Sequence, residues 1–262
     1  MFVPKILILR TAGTNCDYET RYAFEKAGAR ADVIHINILL AHKKLLRDYQ
    51  VLTFPGGFTY GDDVSAGKIL ANQIKYNLEE EIKKFISEKK LILGICNGFQ
   101  VLTKAGLLPS MESHSQETTL TYNDSGRFED RWVYLKVCSH KSPFMNGENI
   151  TRIYLPVAHG EGKFVTKNEQ VLSKITMNQQ IIFKYVNEQG EEAGYPWNPN
   201  GSLQNIAGIC DSTGQVLGMM PHPERYIEQT QHPHWTRAGL TENGGGFFLF
   251  KNAVNYVKSA FS

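Results

Sequence analysis

The sequence predicts an α/β protein with an open, mostly parallel sheet flanked by helices, and with additional antiparallel strands in its second half. Strand-like and helical patterns alternate through roughly the first hundred residues, and parallel strands need such crossover helices. After residue 130 the pattern changes to short strands, several of them joined by turn residues. Because no linker-like stretch divides the chain, we expect a single domain over residues 1–262.

The first half contains four apolar runs that indicate strands and three segments that indicate helices. The predicted strands are Lys5–Arg10, Ala31–Ile36, Val51–Phe54 and Leu91–Ile95, and the predicted helices are Tyr18–Ala27, Ser65–Lys89 and Gly98–Ala105. In the longest helix the apolar residues from Leu70 to Phe85 recur every three or four positions, so they lie on one face. Ligands of parallel sheets bind beyond the carboxyl ends of the strands, where Cys96 and the turn Pro55–Gly57 fall.

The second half contains six predicted short strands and one final helix. The strands are Trp132–Cys138, Ile153–Val157, Gly162–Val165, Gln180–Val186, Ile206–Cys210 and Val216–Met220, and the helix is Gly246–Phe261. Turn residues between them, such as Asp211–Gly214, favour antiparallel connections.

Composition and charge exclude several classes of function. Charged residues make up 21% of the chain and the formal net charge is +2, so neither nucleic acid nor an anionic membrane is expected as a partner. No apolar run is long enough to cross a bilayer, and the N-terminus leads directly into a strand, unlike a secretory signal. The four cysteines (Cys16, Cys96, Cys138 and Cys210) contain no CxxC pair, which favours reduced thiols in the cytoplasm.

His232 and His234 form a His-x-His pair of the kind that can bind a metal ion. No third ligand accompanies them in the sequence, so no metal site is predicted. A loop that faces a partner is the preferred interpretation of the segment Tyr226–Trp235.

Cys96 is the strongest candidate nucleophile. It follows an apolar strand, precedes a helical pattern, and stands between Gly94 and Gly98. Glycines at these positions permit a tight strand-to-helix turn that presents the middle side chain at the edge of the sheet. The N-terminus of the following helix favours thiolate over thiol. The spacing therefore predicts a reactive thiol, although a small core residue remains the alternative.

His222 and Glu224 are the candidate partners of this thiol. A cysteine nucleophile needs a base, and the base needs a carboxylate that fixes its tautomer. Both residues follow the last predicted strand, and residues two apart in an extended segment point to the same side. We therefore expect Glu224 to reach the ring of His222, with Pro223 holding the segment extended.

These residues carry a resemblance to the class I, or triad, glutamine amidotransferases. The nucleophile motif of that family resembles Gly94–Gln100, and its His-x-Glu motif resembles Pro221–Arg225. The glutaminase subunits of phosphoribosylformylglycinamidine synthase, from purine biosynthesis, are similar at Gly13–Asp17, Pro55–Asp63, Ser65–Gly67, Ala158–Gly162 and Tyr195–Ser202. The resemblance covers most of the chain and implies the flavodoxin-like fold of the family.

The activity that the resemblance implies is hydrolysis of L-glutamine to glutamate and ammonia. Cys96 would attack the side-chain amide, His222 would carry the proton, Glu224 would orient His222, and a glutamyl thioester would form on the sulfur.

Further residues have implied roles around that reaction. Backbone N–H groups of Asn97 and of either Gly56 or Gly57 would stabilise the oxyanion. Gln100 and His159 are candidate substrate-binding residues, although each could serve only local hydrogen bonds.

The implied partners supply the ATP-dependent step. The sequence contains no recognisable phosphate-binding loop, so no cofactor is expected in this chain, and ATP and Mg²⁺ are expected on a large synthase subunit. A small bridging subunit completes the implied complex. Three alternatives stay open: an amidotransferase subunit for a different acceptor, a non-catalytic interaction subunit of the same fold, and a related cysteine hydrolase.

Overall fold

The computed structural model describes residues 2–111, 115–147, 150–239 and 242–261. Within these ranges the strands are β1 Lys5–Arg10, β2 Arg30–His35, β3 Val51–Phe54, β4 Leu91–Ile95, β5 Thr118–Thr121, β6 Glu129–Val137, β7 Arg152–His159, β8 Lys163–Thr166, β9 Ile181–Val186, β10 Ile206–Cys210 and β11 Val216–Met219. The helices are α1 Asp17–Lys26, α2 Ile36–Ala41, α3 Lys68–Asn77, α4 Glu79–Ser87, α5 Asn97–Lys104, α6 Glu169–Met177, α7 Trp235–Ala238 and α8 Phe247–Phe261.

A nine-stranded sheet forms the centre of the fold, in the order β2-β1-β3-β4-β11-β10-β9-β6-β7. The strands from β2 to β11 are mutually parallel, and adjacent strands from β11 to β7 pair antiparallel. β5 and β8 form a separate antiparallel pair. The predicted fold class is therefore confirmed, and β11 is the strand that joins its two halves.

Strands β1, β3 and β4 owe their central position to continuous apolar runs. All residues of β3 and β4 are buried, as are the four inner residues of β1. A strand covered by helices on both faces has no solvent side, so its sequence does not alternate. Their carboxyl ends lead into the loops that build the site.

The predicted helix Ser65–Lys89 was wrong as a single element, because α3 and α4 are separated at Leu78. Leu78 has φ −126° and is fully buried. The apolar face continues through the break, so the periodicity gave no sign of it. Helices α2, α6 and α7 and strand β5 were not predicted. Several strand ends also shift, and β7 continues to His159.

No helix among the described residues is long and apolar enough to cross a membrane.

Candidate active site

Cys96 lies in a strained turn between β4 and α5. Its φ of 51° and ψ of −106° place a non-glycine residue where side chains are rarely tolerated. The two flanking glycines allow the surrounding backbone to close. A Cβ atom on Gly98 would lie 1.9 Å from the carbonyl oxygen of Phe54, and one on Gly94 would lie 2.8 Å from the Gly98 backbone. The predicted tight turn is therefore present, and it is closed by contact with β3.

Two other strands reach Cys96. Its N–H donates to the Met219 carbonyl oxygen at 2.8 Å, and its Sγ lies 3.6 Å from the Ala158 carbonyl oxygen on β7. The side chain is buried, with 4% of the residue exposed. The thiol thus lies at the junction of the parallel and antiparallel parts of the sheet.

His222 and Glu224 form a buried hydrogen-bonded pair, with 2.6 Å between Nδ1 and Oε1. The backbone N–H of His222 also donates to the Pro156 carbonyl oxygen at 2.8 Å, which fixes the segment to β7. The extended conformation predicted here was wrong, because Pro223–Arg225 is a short 3-10 helix. The carboxylate nevertheless reaches the ring, as expected.

The charge of Cys96 acts on the ring of His222. Burial alone lowers the pKa of His222, but the charges of Glu224 and Cys96 raise it well above its ordinary value. Within the described part of the chain, Nε2 has no hydrogen-bond partner. Since Nδ1 is bonded to Glu224, Nε2 is the nitrogen left for Cys96. The thiol and the imidazole, far apart in the sequence, are therefore close enough for the charge of Cys96 to act on His222.

The turn at Gly56 and Gly57 lies against this ring. A Cβ on Gly56 would lie 2.7 Å from His222 Cε1. The Gly56 carbonyl accepts the N–H groups of Asn15 at 3.3 Å and Cys16 at 3.2 Å. Gly57 has φ +148° and forms an isolated antiparallel bridge with Thr14. The loop after β1 is therefore hydrogen-bonded to the backbone of this turn and fixes its position.

Asn97 opens α5, so its N–H has no acceptor within the helix. Its side chain ties the site together: Oδ1 accepts the Thr59 N–H at 3.2 Å, and Nδ2 donates to Asp62 at 3.1 Å and to Gln100 at 2.8 Å. Gln100 Nε2 donates to the Glu161 carbonyl oxygen at 2.6 Å. Gln100 thus links the start of α5 to the loop that follows β7, and its contact with substrate stays a prediction.

His159 lies at the end of β7 with both ring nitrogens next to asparagines. Nδ1 is 3.1 Å from Asn123 Oδ1, and Nε2 is 3.4 Å from Asn200 Nδ2. Burial, and then the charge of His222, lower the pKa of His159 to about 3. The ring is therefore neutral and is held at the end of β7 by the two asparagines. Its contact with substrate also stays a prediction.

A buried ion network beside the turn at Cys96 was not predicted from the sequence. Lys104 Nζ lies 3.6 Å from Glu161 Oε2 and donates to Ser65 Oγ and to the Ala66 carbonyl oxygen, each at 2.6 Å. Burial, and then the charge of Glu161, raise the pKa of the nearby Asp62 to about 6. No periodicity or spacing marks these residues, because loops bring them together.

Cys16 is a second residue of the site whose role was not predicted from the sequence. Its Sγ lies 4.0 Å from His222 Nδ1 and accepts a hydrogen bond from Arg225 Nη2 at 3.1 Å. Cys16, His222 and Glu224 have potential metal-ligating atoms within 4.8 Å of one another. A guanidinium against the sulfur and a closed His222–Glu224 bond suit a hydrogen-bonded network better than a cation. The motif Gly13–Asp17 at the end of β1 was the available signal.

His232 packs in an aromatic cluster with Trp132, Tyr154 and Tyr226, at centroid distances of 5.5 to 5.6 Å. His234 lies next to it, at 6.1 Å. The cluster connects β6 and β7 to the segment that follows Glu224, so His232 has a packing role.

Comparison with known proteins identifies the family. Residues 3–257 match the CobB/CobQ-like glutamine amidotransferase domain. The chain belongs to this family. The resemblance seen in the motifs is thereby confirmed.

Similar amidotransferases cover the chain almost completely. Phosphoribosylformylglycinamidine synthase subunit PurQ of Dehalococcoides mccartyi is 48% identical over 258 residues, which are 97% of this chain and 98% of that protein. The subunit of the same name from Methanococcus maripaludis is 44% identical over 268 residues, 97% of each chain. The solved structure of PurLQS from Thermotoga maritima matches with a TM-score of 0.74 at 30% identity, covering 98% of this chain and 100% of that one.

Proposed function

We propose that this amidotransferase is the glutaminase subunit of a phosphoribosylformylglycinamidine synthase, and that it hydrolyses L-glutamine through Cys96, His222 and Glu224. The observation that carries the proposal is the His222 ring, bonded to Glu224 at Nδ1 and coupled to the Cys96 thiol in the strained turn. Similarity to the PurQ proteins supports the identity of the reaction.

The reaction begins with transfer of the Cys96 proton to His222 Nε2. The sulfur attacks the side-chain carbonyl carbon of glutamine, and the carbonyl oxygen becomes an oxyanion. When the carbon–nitrogen bond breaks, His222 returns the proton and ammonia leaves. Water, deprotonated by His222, then attacks the thioester, and the thiol and glutamate are released. Glu224 holds the ring and balances its charge throughout.

Gly57, rather than Gly56, is the glycine that we assign to the oxyanion. The Gly56 carbonyl and the Gly57 N–H belong to one trans peptide group and therefore point in opposite directions. The carbonyl faces Asn15 and Cys16, so the Gly57 N–H faces away from that loop. Together with the Asn97 N–H at the start of α5, it gives the two donors that a tetrahedral intermediate needs.

Cys96 is the nucleophile in this proposal although Cys16 also contacts His222. Cys16 is fully buried, its sulfur is covered by Arg225, and burial raises its pKa despite the opposing hydrogen bond to His222. Cys96 occupies the strained turn at the N-terminus of α5.

The wider arrangement follows from the same proposal. Residues 1–262 act as one glutaminase domain in the cytoplasm without a cofactor of their own. ATP and Mg²⁺ are bound by a large synthase subunit, and a small bridging subunit completes the assembly. The similarity to PurLQS of Thermotoga maritima and to the PurQ subunits of the other two organisms supports an assembly with partner subunits.

The test uses the chain co-purified with its synthase subunits, supplied with glutamine, ATP and the formylglycinamide substrate. We expect glutamate release to fall by at least roughly a thousandfold in Cys96→Ala, while external ammonium still supports synthesis. Mass spectrometry of the rapidly quenched wild type should find the glutamyl adduct on the peptide that contains Cys96. An adduct on Cys16, or glutamine use by Cys96→Ala at the wild-type rate, would refute the assignment.

A further inference from the structure

Cys16 lies where three parts of the site meet: the turn at Gly56 and Gly57, the His222 ring and the Arg225 side chain. Building on the proposed function, we infer that Cys16 and Arg225 are positioning residues. Together they fix the relative positions of the general base His222 and the turn at Gly56 and Gly57 (the oxyanion turn). Neither residue touches the glutamine in this role.

The backbone of Cys16 acts on the oxyanion turn. The N–H groups of Asn15 and Cys16 converge on the Gly56 carbonyl, and the Phe58 N–H donates to the Gly13 carbonyl oxygen at 2.8 Å. Two of these hydrogen bonds fix the peptide plane that presents the Gly57 N–H, and the third holds the next peptide group against the same loop. A donor held in advance needs no reorganisation when the oxyanion forms.

The side chain of Cys16 acts on His222. Its sulfur lies 4.0 Å from Nδ1 and would lie 3.2 Å from a Cβ on Gly56, so it fills the space between ring and turn. With Glu224 bonded to Nδ1, Cys16 beside it and Gly56 against Cε1, Nε2 is left facing the turn at Cys96.

Arg225 contacts both Cys16 and Glu224 and so stabilises the positions of these two side chains around His222. Its Nη2 donates to the Cys16 sulfur at 3.1 Å, and its positive charge interacts with Glu224. Because Arg225 directly follows Glu224, one turn of chain carries both the carboxylate that orients His222 and the cation that holds Cys16. Movement of the ring would therefore break contacts to two loops.

Four titratable groups face His222 in addition to Arg225: Glu224 from its own turn, Cys96 from the turn after β4, Cys16 from the loop after β1, and His159 from β7. The Cys16 sulfur, as a hydrogen-bond acceptor beside Nδ1, favours the protonated ring. Removing the sulfur should therefore move the protonation midpoint of His222 to lower pH.

The experiment compares Cys16→Ala and Cys16→Ser with Cys210→Ala in the co-purified complex. Cys210 is an equally buried cysteine in β10, away from the triad, and controls for loss of core packing. For Cys16→Ala we expect kcat to fall roughly tenfold and KM for glutamine to change less than about twofold, since geometry rather than binding is disturbed. In the dependence of kcat/KM on pH, the limb that reports the protonation of His222 should move to lower pH.

Cys16→Ser should recover most of kcat, because a hydroxyl can still accept the Arg225 hydrogen bond. If Cys16→Ala matches Cys210→Ala in kcat and pH profile, the inference is refuted. It is also refuted if kcat falls without a pH shift and serine restores nothing, since that is the signature of a purely structural residue.

The two proposals fail in distinguishable ways. Activity retained in Cys96→Ala would overturn the proposed function itself. An inactive Cys96→Ala beside a normal Cys16→Ala would overturn only the positioning role.

Discussion

His159 and His222 are almost completely buried, yet their partners give the two rings opposite charge behaviour. His222 faces a carboxylate and two thiols, and its pKa is raised. His159 faces two asparagine side chains and the charge of His222, and its pKa falls to about 3. Neutral amides can satisfy a ring but cannot compensate a buried positive charge. One histidine is thus equipped to carry a proton and the other to stay neutral.

The neutral His159 predicts a pH-dependent stability. Its folded pKa lies below the unfolded value of 6.5, so protons bind the unfolded chain more tightly and stability falls as pH drops below about 6.5. This single group should cost about 1.4 kcal/mol of unfolding free energy for each pH unit between about 6.5 and about 3. His222 contributes with the opposite sign, since its raised pKa stabilises the fold until the pH rises through that value.

The measurement is urea unfolding of wild type and His159→Gln at pH 7.5 and at pH 5. Glutamine keeps hydrogen-bonding groups but cannot be protonated. The stability advantage of wild type over His159→Gln should shrink at pH 5. An advantage that is the same at both pH values would contradict a neutral His159.

The turn formed by β4, Cys96 and α5 illustrates what can be predicted at the scale of single elements. The two glycines, the strand and the helix were all expected from local sequence, because they follow one another directly in the chain. Leu78 shows the opposite case: a helix break on a continuous apolar face changes no periodicity. The roles of Cys16 and Lys104 were missed for a different reason, since their partners come from loops distant in the sequence.

A matched pair of glycine substitutions tests this turn. Gly98→Ala would place a methyl group 1.9 Å from the Phe54 carbonyl oxygen, whereas nothing lies within 4 Å of a Cβ on Gly194. We expect Gly98→Ala to lose about 3 kcal/mol of unfolding free energy and most glutaminase activity, because backbone of β3 must move. Gly194→Ala should change neither. Equal melting temperatures for the two variants would contradict the close packing of Gly98 on β3.

At the scale of the whole molecule, the site lies across β11, the strand at which the parallel and antiparallel halves of the sheet meet. The parallel half contributes Cys96 and the glycine turn, and the antiparallel half contributes β7 and, after β11, the His222 segment. Lys104 and Glu161 link these halves beneath the surface. Composition and periodicity predicted both halves. Which strands meet at β11 depends on the strand order of the sheet, and no local sequence pattern contains that order.

Lys104→Met tests that link. The ammonium group is almost fully buried, so its removal leaves Glu161 and Asp62 without their cation and should cost about 3 kcal/mol of stability. Lys83→Met removes an exposed pair with Glu79 and should have little effect. Urea unfolding of both variants provides the comparison, and similar losses would show that the buried pair is not what joins the halves.

The contact between Gly13 and the oxyanion turn restricts how such a site can evolve. A Cβ on Gly13 would lie 1.9 Å from the Phe58 carbonyl oxygen, and one on Gly57 would lie 2.7 Å from the Gly13 carbonyl oxygen. Gly13 therefore leaves room for the Phe58 backbone and Gly57 leaves room for the Gly13 backbone, and a larger residue at either position separates the two loops. Random mutagenesis should find no neutral path that enlarges one position at a time, so natural variants are expected to retain or lose both glycines together.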